Sequence, residues 1–288
     1  MSVVNHLPVD VDPADLEHVA RCVAVLAGRL IVDERPVDLG VAQTKSSRTD
    51  IVTEMDSRSE QLLRAELARL RPDDGVLGEE GTSQAGSSGI TWVVDPIDGT
   101  VNYLYEIPAY AVSVAACVGD LADPERLVPV AGAVFNPVTR ELFHAYAGGG
   151  ARLSVGEHER RLEVSAQTDP ALALLGTGFG YDSAKRARQA ALLTAVISRV
   201  RDVRRIGSAA LDLCSIAAGR LDVYYESGLN PWDRAAGQLI VAEAGGVVRG
   251  VDAEPTSDLV VAGPQVLVEQ LAAWVLPART WIDPAREA

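Results

Sequence analysis

Apolar positions along the chain change period twice, and the changes mark the elements. From Asp15, the residues Leu16, Val19, Ala20, Val23, Leu26, Ala27 and Leu30 recur at helical spacing. They predict a helix to about Val32, after a tail over Met1–Asp12. A polar stretch, Lys45–Asp50, leads to Thr53 and Asp56, which have capping-box spacing with Asp in place of Glu. A second helix is expected from there to about Leu70, burying Leu62, Leu63, Leu67 and Leu70. Short β-branched runs follow at Val76–Leu77 and Ile90–Val94, then at Tyr110–Val118, Leu127–Phe135, Glu141–Ala147 and Leu162–Val164. Strand after strand, with Pro- and Gly-bearing turns between, predicts an antiparallel sheet in the first half.

After Gly150 the rhythm alternates. Strands are expected at Ala171–Leu175, Val203–Ile206, Val223–Glu226 and Leu259–Ala262. Helices are expected at Ser183 to about Val200, Ser208 to about Ala218, Pro231 to about Ala244 and Gln265 to about Val275. That is an α/β pattern. No repeat or long linker divides the chain. Residues 1–288 read as one domain, with an α+β half over about 1–150 and an α/β half over about 151–288.

Composition narrows the function classes. The 288 residues are 48% hydrophobic, enough for a real core. The net charge of −14 repels nucleic-acid backbones, so no nucleic-acid partner is expected. An anionic substrate would then need local positive charge, most simply bound cations. Cys22, Cys117 and Cys214 are too scattered for a disulfide framework or a zinc pattern, and the four histidines lack ligand spacing. A reducing cytoplasm is the default. No apolar run nears the ~20 residues of a membrane span, and no signal peptide is evident.

The chemistry gathers at Trp92-Val93-Val94-Asp95-Pro96-Ile97-Asp98-Gly99-Thr100. A strand ends in two carboxylates three residues apart, stiffened by Pro96. Hard cations prefer such oxygen ligands. Asp and Gly are also ordinary turn residues, so a capped turn is the alternative. Two other acidic elements bear on the choice. Gly78-Glu79-Glu80-Gly81 follows a strand, and Asn230-Pro231-Trp232-Asp233 opens a helix with Asp233 in its first turn. Each alone is a solvated acid or a dipole partner. A Gly-rich run, Gly176-Thr177-Gly178-Phe179-Gly180, lacks dinucleotide spacing and reads as a flexible turn.

Asp95-Pro96-Ile97-Asp98-Gly99-Thr100, with Gly78-Glu79-Glu80 before it and Trp232-Asp233-Arg234-Ala235-Ala236-Gly237 after it, resembles the inositol monophosphatase family. The resemblance spans roughly Lys45 to Gly246. It implies a layered α-β-α-β-α sandwich of the inositol monophosphatase and fructose-1,6-bisphosphatase type. It implies Mg²⁺-dependent hydrolysis of inositol 1-phosphate by metal-activated water, with lithium sensitivity. On that resemblance, two to three Mg²⁺ ions are held by Glu79, Asp95, the Ile97 carbonyl, Asp98 and Asp233. Glu79 and Thr100, the latter oriented by Asp56, activate water. The Gly99 and Thr100 amides cradle phosphate; Ser208, the Ala209 amide and Glu226 contact the sugar-like ring. Lys45 lies near the metals, and the Gly176–Gly180 loop borders the site. A homodimer is implied as well; Arg204 and Arg205, just before the Ser208 turn, read as a surface or interface salt bridge or as a subunit contact.

The shared apparatus does not separate substrates. Fructose-1,6-bisphosphate, histidinol phosphate and 3′-phosphoadenosine phosphate are alternatives, as is a catalytically idle regulatory binding protein. A Ca²⁺-binding module fits less well, because these acids come from distant elements instead of one loop.

Overall fold

The computed structural model describes residues 11–45 and 51–277. The tail expected up to Asp12 and the polar stretch up to Asp50 lie outside these limits for residues 1–10 and 46–50. The chain opens with α1 (Pro13–Asp33), capped by the Asp12 carboxylate on the Ala14 amide. A two-stranded antiparallel ribbon follows, β1 (Gln43–Thr44) and β2 (Ile51–Val52). Next come α2 (Glu54–Leu70), β3 (Gly75–Gly78), β4 (Ile90–Asp98) and the short α3 (Thr100–Leu104). Then β5 (Ala111–Val118), β6 (Val128–Asn136), β7 (Glu141–Tyr146), β8 (Gly150–Val155) and β9 (His158–Arg161) complete a seven-stranded sheet in the order β3-β4-β5-β6-β7-β8-β9. It is antiparallel except for the parallel pair β3 and β4.

The second half holds β10 (Leu174–Thr177), α4 (Ser183–Val196), β11 (Asp202–Arg204), α5 (Ala209–Ala217) and β12 (Val223–Glu226). It ends with α6 (Pro231–Glu243), β13 (Val247–Arg249), β14 (Val260–Gly263) and α7 (Gln265–Val275). Its five strands run in the order β11-β10-β12-β14-β13. β10 is parallel to β11 and β12, while β14 is antiparallel to β12 and β13.

Side-chain alternation stacks these pieces. Trp92 and Val94 on β4 pack against Leu16 and Ala20 of α1 and Leu63 and Leu67 of α2. Val93, facing the other way, joins Leu213 of α5 and Ile240 of α6. The same cluster reaches Tyr224 of β12 and Val260 of β14. On the far side of β12, Val223 and Tyr225 pack with Leu267 and Leu271 of α7. The layers are therefore α1/α2, the seven-stranded sheet, α5/α6, the five-stranded sheet and α4/α7, an α-β-α-β-α sandwich.

Several expectations need correction. Leu162–Val164 is not a strand; the hairpin β8–β9 precedes it, turning at Gly156. The polar His158–Arg161 strand carries no alternation, because all four of its residues are exposed. Leu70 is 38% exposed rather than core, since α2 ends there. The strand expected from Ala171 begins at Leu174, after a 3-10 turn over Pro170–Leu172. Helix α4 stops at Val196, and β11 ends at Arg204 rather than Ile206. β13 gave no clear period because its three residues are only half-buried.

Candidate active site

Parallel pairing puts the first two acids side by side. Gly78 on β3 is in register with Val94 on β4, so Glu79, just past the end of β3, comes out beside Asp95 of β4. Glu79 hydrogen-bonds the Asp95 carboxyl. β4 then bulges. Asp95 faces Ser113 and Asp98 faces Ala111, so the β4 side carries one extra residue. The bulge turns Asp98 back toward Asp95, and the Asp95 Oδ1 accepts the Ile97 amide at 3.0 Å. Gly99 follows at φ +97°, where a Cβ would sit 3.0 Å from the Ala109 carbonyl and 3.2 Å from that of Gly207.

Helix α6 supplies the third acid. Asp233 sits in its first turn, with Oδ2 accepting the Asn230 amide at 2.6 Å. Donor oxygens of Asp95, Asp98 and Asp233 lie within 4.8 Å of one another. The end of β4 and the start of α6, distant in sequence, thus present three carboxylates to one point. Glu79 joins through Asp95 and is met by Lys45, whose Nζ lies 2.6 Å from Glu79 Oε1 and 2.7 Å from Glu80 Oε1.

Electrostatics at this point are unbalanced. Burial pushes Asp95 well up, and Glu79, Asp98, Asp233 and Asp56 add to it. Asp233 rises for the same reasons, burial first and then Glu79 and Asp98. Burial also raises Glu79, against the pull of Lys45. Burial would lower Lys45, but Glu79 and Glu80 more than reverse it, so the ammonium is firmly charged. One ammonium does not balance the four clustered acids Glu79, Asp95, Asp98 and Asp233. A cluster of hard oxygen donors with that deficit fits divalent cations.

Asp56 does two jobs. Its Oδ2 accepts the Thr53 amide at 2.8 Å, closing the cap of α2, and its Oδ1 lies 3.0 Å from Thr100 Oγ1. The Thr100 hydroxyl also lies 3.1 Å from the Ile97 carbonyl. Burial pushes Asp56 up to about 6, opposed by its Thr53 and Thr100 hydrogen bonds. Helix α3, which begins at Thr100, has five residues. Its macrodipole is small, so the Gly99 and Thr100 amides act as individual N–H groups.

A cavity of about 330 Å³ opens from the acidic cluster toward the second sheet. Its lining includes Ala209, Ser208 and Glu226, as well as the Gly178–Gly180 loop. Ser208 does not point its hydroxyl at open space. It donates to Asp98 Oδ2 at 2.5 Å, beside the Ala210 amide at 2.7 Å. So the N-terminus of α5 grips Asp98, whose carboxyl sits near 6 because burial outweighs these bonds. Ser208 thus holds the acid with its hydroxyl while it lines the cavity. Glu226 is held by the Tyr224 hydroxyl at 2.5 Å and is pushed by burial to about 7. A Cβ on Gly178 would lie 2.0 Å from Glu226 Oε2, which explains the glycine in that loop.

Among the charged lining residues, Asp212 and Lys185 escaped the sequence reading, and Arg205 was not placed at the cavity. Asp212 is buried on α5 with an unpartnered Oδ1, and burial lifts it to about 9. Lys185 and Arg205 offset the charge of Glu226. Arg205 lines the cavity, whereas Arg204 pairs with Asp202 on the surface at 2.6 Å. The Arg-Arg doublet gave a signal, but not which arginine turns inward.

The acidic, oxygen-rich centre thus lies at strand and helix ends between the two sheets of an α-β-α-β-α sandwich. The inositol monophosphatase family model matches residues 12–279. The inositol-1-monophosphatase SuhB of Mycobacterium tuberculosis is 46% identical over 281 residues, covering 92% of this chain and 94% of that protein. The solved structure of M. tuberculosis SuhB superposes with a TM-score of 0.79 at 44% identity, covering 95% of this chain and all of that one. A Xylella fastidiosa relative named Nus factor SuhB is 42% identical, covering 74% of this chain and 75% of its own. The chain belongs to the inositol monophosphatase family, whose phosphatases act on small phosphorylated molecules.

Proposed function

We propose that the protein is a Mg²⁺-dependent phosphomonoesterase that releases phosphate from inositol 1-phosphate. The observation that carries this is the convergence of Asp95, Asp98 and Asp233, with Glu79 alongside, at the floor of the cavity. Asp95, Asp98, Asp233, Glu79 and the Ile97 carbonyl would hold the ions. Divalent ions bound there supply Lewis acidity toward phosphate oxygens and water, and cancel charge that repels the nucleophile.

The protein's own groups divide the remaining work. Glu79 takes a proton from the attacking water on this reading, with its basicity tempered by Lys45. Thr100, anchored to Asp56, orients that water. The Gly99 and Thr100 amides receive the phosphate oxygens. Glu226 and the Ala209 amide face the leaving alcohol, and Lys185 and Arg205 balance Glu226 there. A polyol ring, carrying several hydroxyls, suits a half-pocket built from acceptors and donors alike.

Relatives named Nus factor, not phosphatase, keep open a second reading, in which the chain is an idle regulatory binding protein. The complete set of acids weighs against it. A panel assay of phosphate release separates the cases. Inositol 1-phosphate, fructose-1,6-bisphosphate, histidinol phosphate and 3′-phosphoadenosine phosphate would be compared at saturating Mg²⁺. The highest kcat/KM is expected for inositol 1-phosphate. Faster turnover of another ester would overturn the substrate; no release from any ester would favour the regulatory reading.

A further inference from the structure

Helix α2 carries more than Asp56 on the face turned to the acidic centre. Ser59 donates to the Pro96 carbonyl at 3.2 Å, and Glu60, one turn beyond Asp56, is 2% exposed. Glu60 Oε2 accepts the Glu80 amide at 2.7 Å. Its Oε1 accepts Arg64 Nε, also at 2.7 Å. The loop leaving β3 is moulded around this carboxylate. A Cβ on Gly78 would lie 2.5 Å from Glu60 Cδ, and a Cβ on Gly81 would lie 2.5 Å from Oε1 and 2.8 Å from Arg64 Nη2. The glycines on both sides of Glu79-Glu80 are there to admit Glu60.

Packing alone does not explain a charge in this place. Glu60 adds repulsion to Glu80, which is already raised by burial. A buried carboxylate is unfavourable unless paired and hydrogen-bonded. An apolar side chain would fill the space without that cost. It would not, however, hold a backbone N–H in one place.

We propose that Glu60, anchored by Arg64, is a positioning residue for the Glu79 carboxylate. By fixing the Glu80 amide it sets where Glu79 meets Asp95 and Lys45, and so presets the site for a divalent ion. This rests on Glu79 serving as an ion ligand, as proposed above.

The test uses the full chain and reads the ion apart from the chemistry. Mg²⁺ binding is measured by calorimetry on chelator-treated protein, and the Mg²⁺ half-saturation of phosphate release from inositol 1-phosphate is measured in parallel. Glu60→Gln keeps the shape but loses the charge that pairs with Arg64; Gly81→Ala pushes on the same contact without altering α2. Both should weaken Mg²⁺ binding and raise the half-saturation about 10-fold, the low end for partners behind a metal ligand. The substrate KM at saturating Mg²⁺ should stay within about twofold of wild type. Glu66→Gln, which removes an exposed pair with Arg69 on the same helix, should leave all three unchanged. Melting in EDTA confirms folding, and Arg64→Met carries the test if Glu60→Gln does not melt cooperatively. Wild-type Mg²⁺ affinity in folded Glu60→Gln and Gly81→Ala would overturn the proposal. A wild-type protein that neither binds nor needs Mg²⁺ would overturn the ligand reading itself, and the proposal with it.

Discussion

At the residue scale, the site is a problem of unbalanced charge. Asp98 is the most informative member because it faces two ways. One oxygen is gripped by Ser208 and the Ala210 amide; the carboxyl also belongs to the three-acid cluster. Asp98→Asn keeps an acceptor for α5 but removes charge from the cluster. Its Mg²⁺-supported kcat should fall about 10²–10⁴-fold, the rate equivalent of several kcal/mol of lost charge stabilisation. Its melting temperature in EDTA should not fall, because a repulsive charge has gone. Full activity in this variant, measured by phosphate release, would remove Asp98 from the ligand set. Ser208→Ala should act more mildly, freeing Asp98 while leaving the amide contact in place. A loss of on the order of 10-fold in Mg²⁺ affinity is expected by calorimetry.

At the element scale, backbone geometry delivers the acids. The β4 bulge and the left-handed Gly99 turn the chain within five residues from sheet to helix. Gly99→Ala must adopt φ near +97° and push on the Ala109 and Gly207 carbonyls. It should cost about 1–3 kcal/mol in denaturant unfolding and displace Thr100 from Asp56. The sequence made these ends legible because each acid stands beside a residue that punctuates structure: Pro96 and Gly99, Gly78 and Gly81, Pro231. Asp56 was legible as a cap, and the structure shows it capping and touching Thr100 at once. Asp212 was not, since an acid in the first turn of a helix reads as a dipole partner, and gains its meaning only when β10 and β12 close over α5. Glu60 was hidden the same way, as one polar residue on an amphipathic helix. The β8–β9 hairpin was missed because its outer strand is exposed throughout and has no apolar period to read.

At the scale of the whole molecule, a chain of net charge −14 concentrates protonatable acids in one buried place. Asp98 and Asp56 sit near 6 against an ordinary 3.8, and Glu226 near 7 against 4.5. Raised carboxyls bind protons more tightly in the folded state. Their contribution to stability is therefore complete below about pH 4 and is lost as pH rises through 6 to 7. On the proposed function, divalent ions would replace the missing protons. The Mg²⁺-induced rise in melting temperature should then be about 5–10 °C at pH 7.5 with Mg²⁺ at about 100 times its Kd, and close to nothing at pH 5. Scanning calorimetry at both pH values checks this; equal shifts would mean the ions bind elsewhere.

The most direct test of the acidic centre is anomalous diffraction from crystals soaked in Mn²⁺, a heavier stand-in for Mg²⁺. The account predicts a peak bounded by carboxylate oxygens of Asp95, Asp98 and Asp233, with a second beside Glu79 and Asp95. Protein that hydrolyses inositol 1-phosphate in the same Mn²⁺ solution while showing no peak among these residues would contradict it.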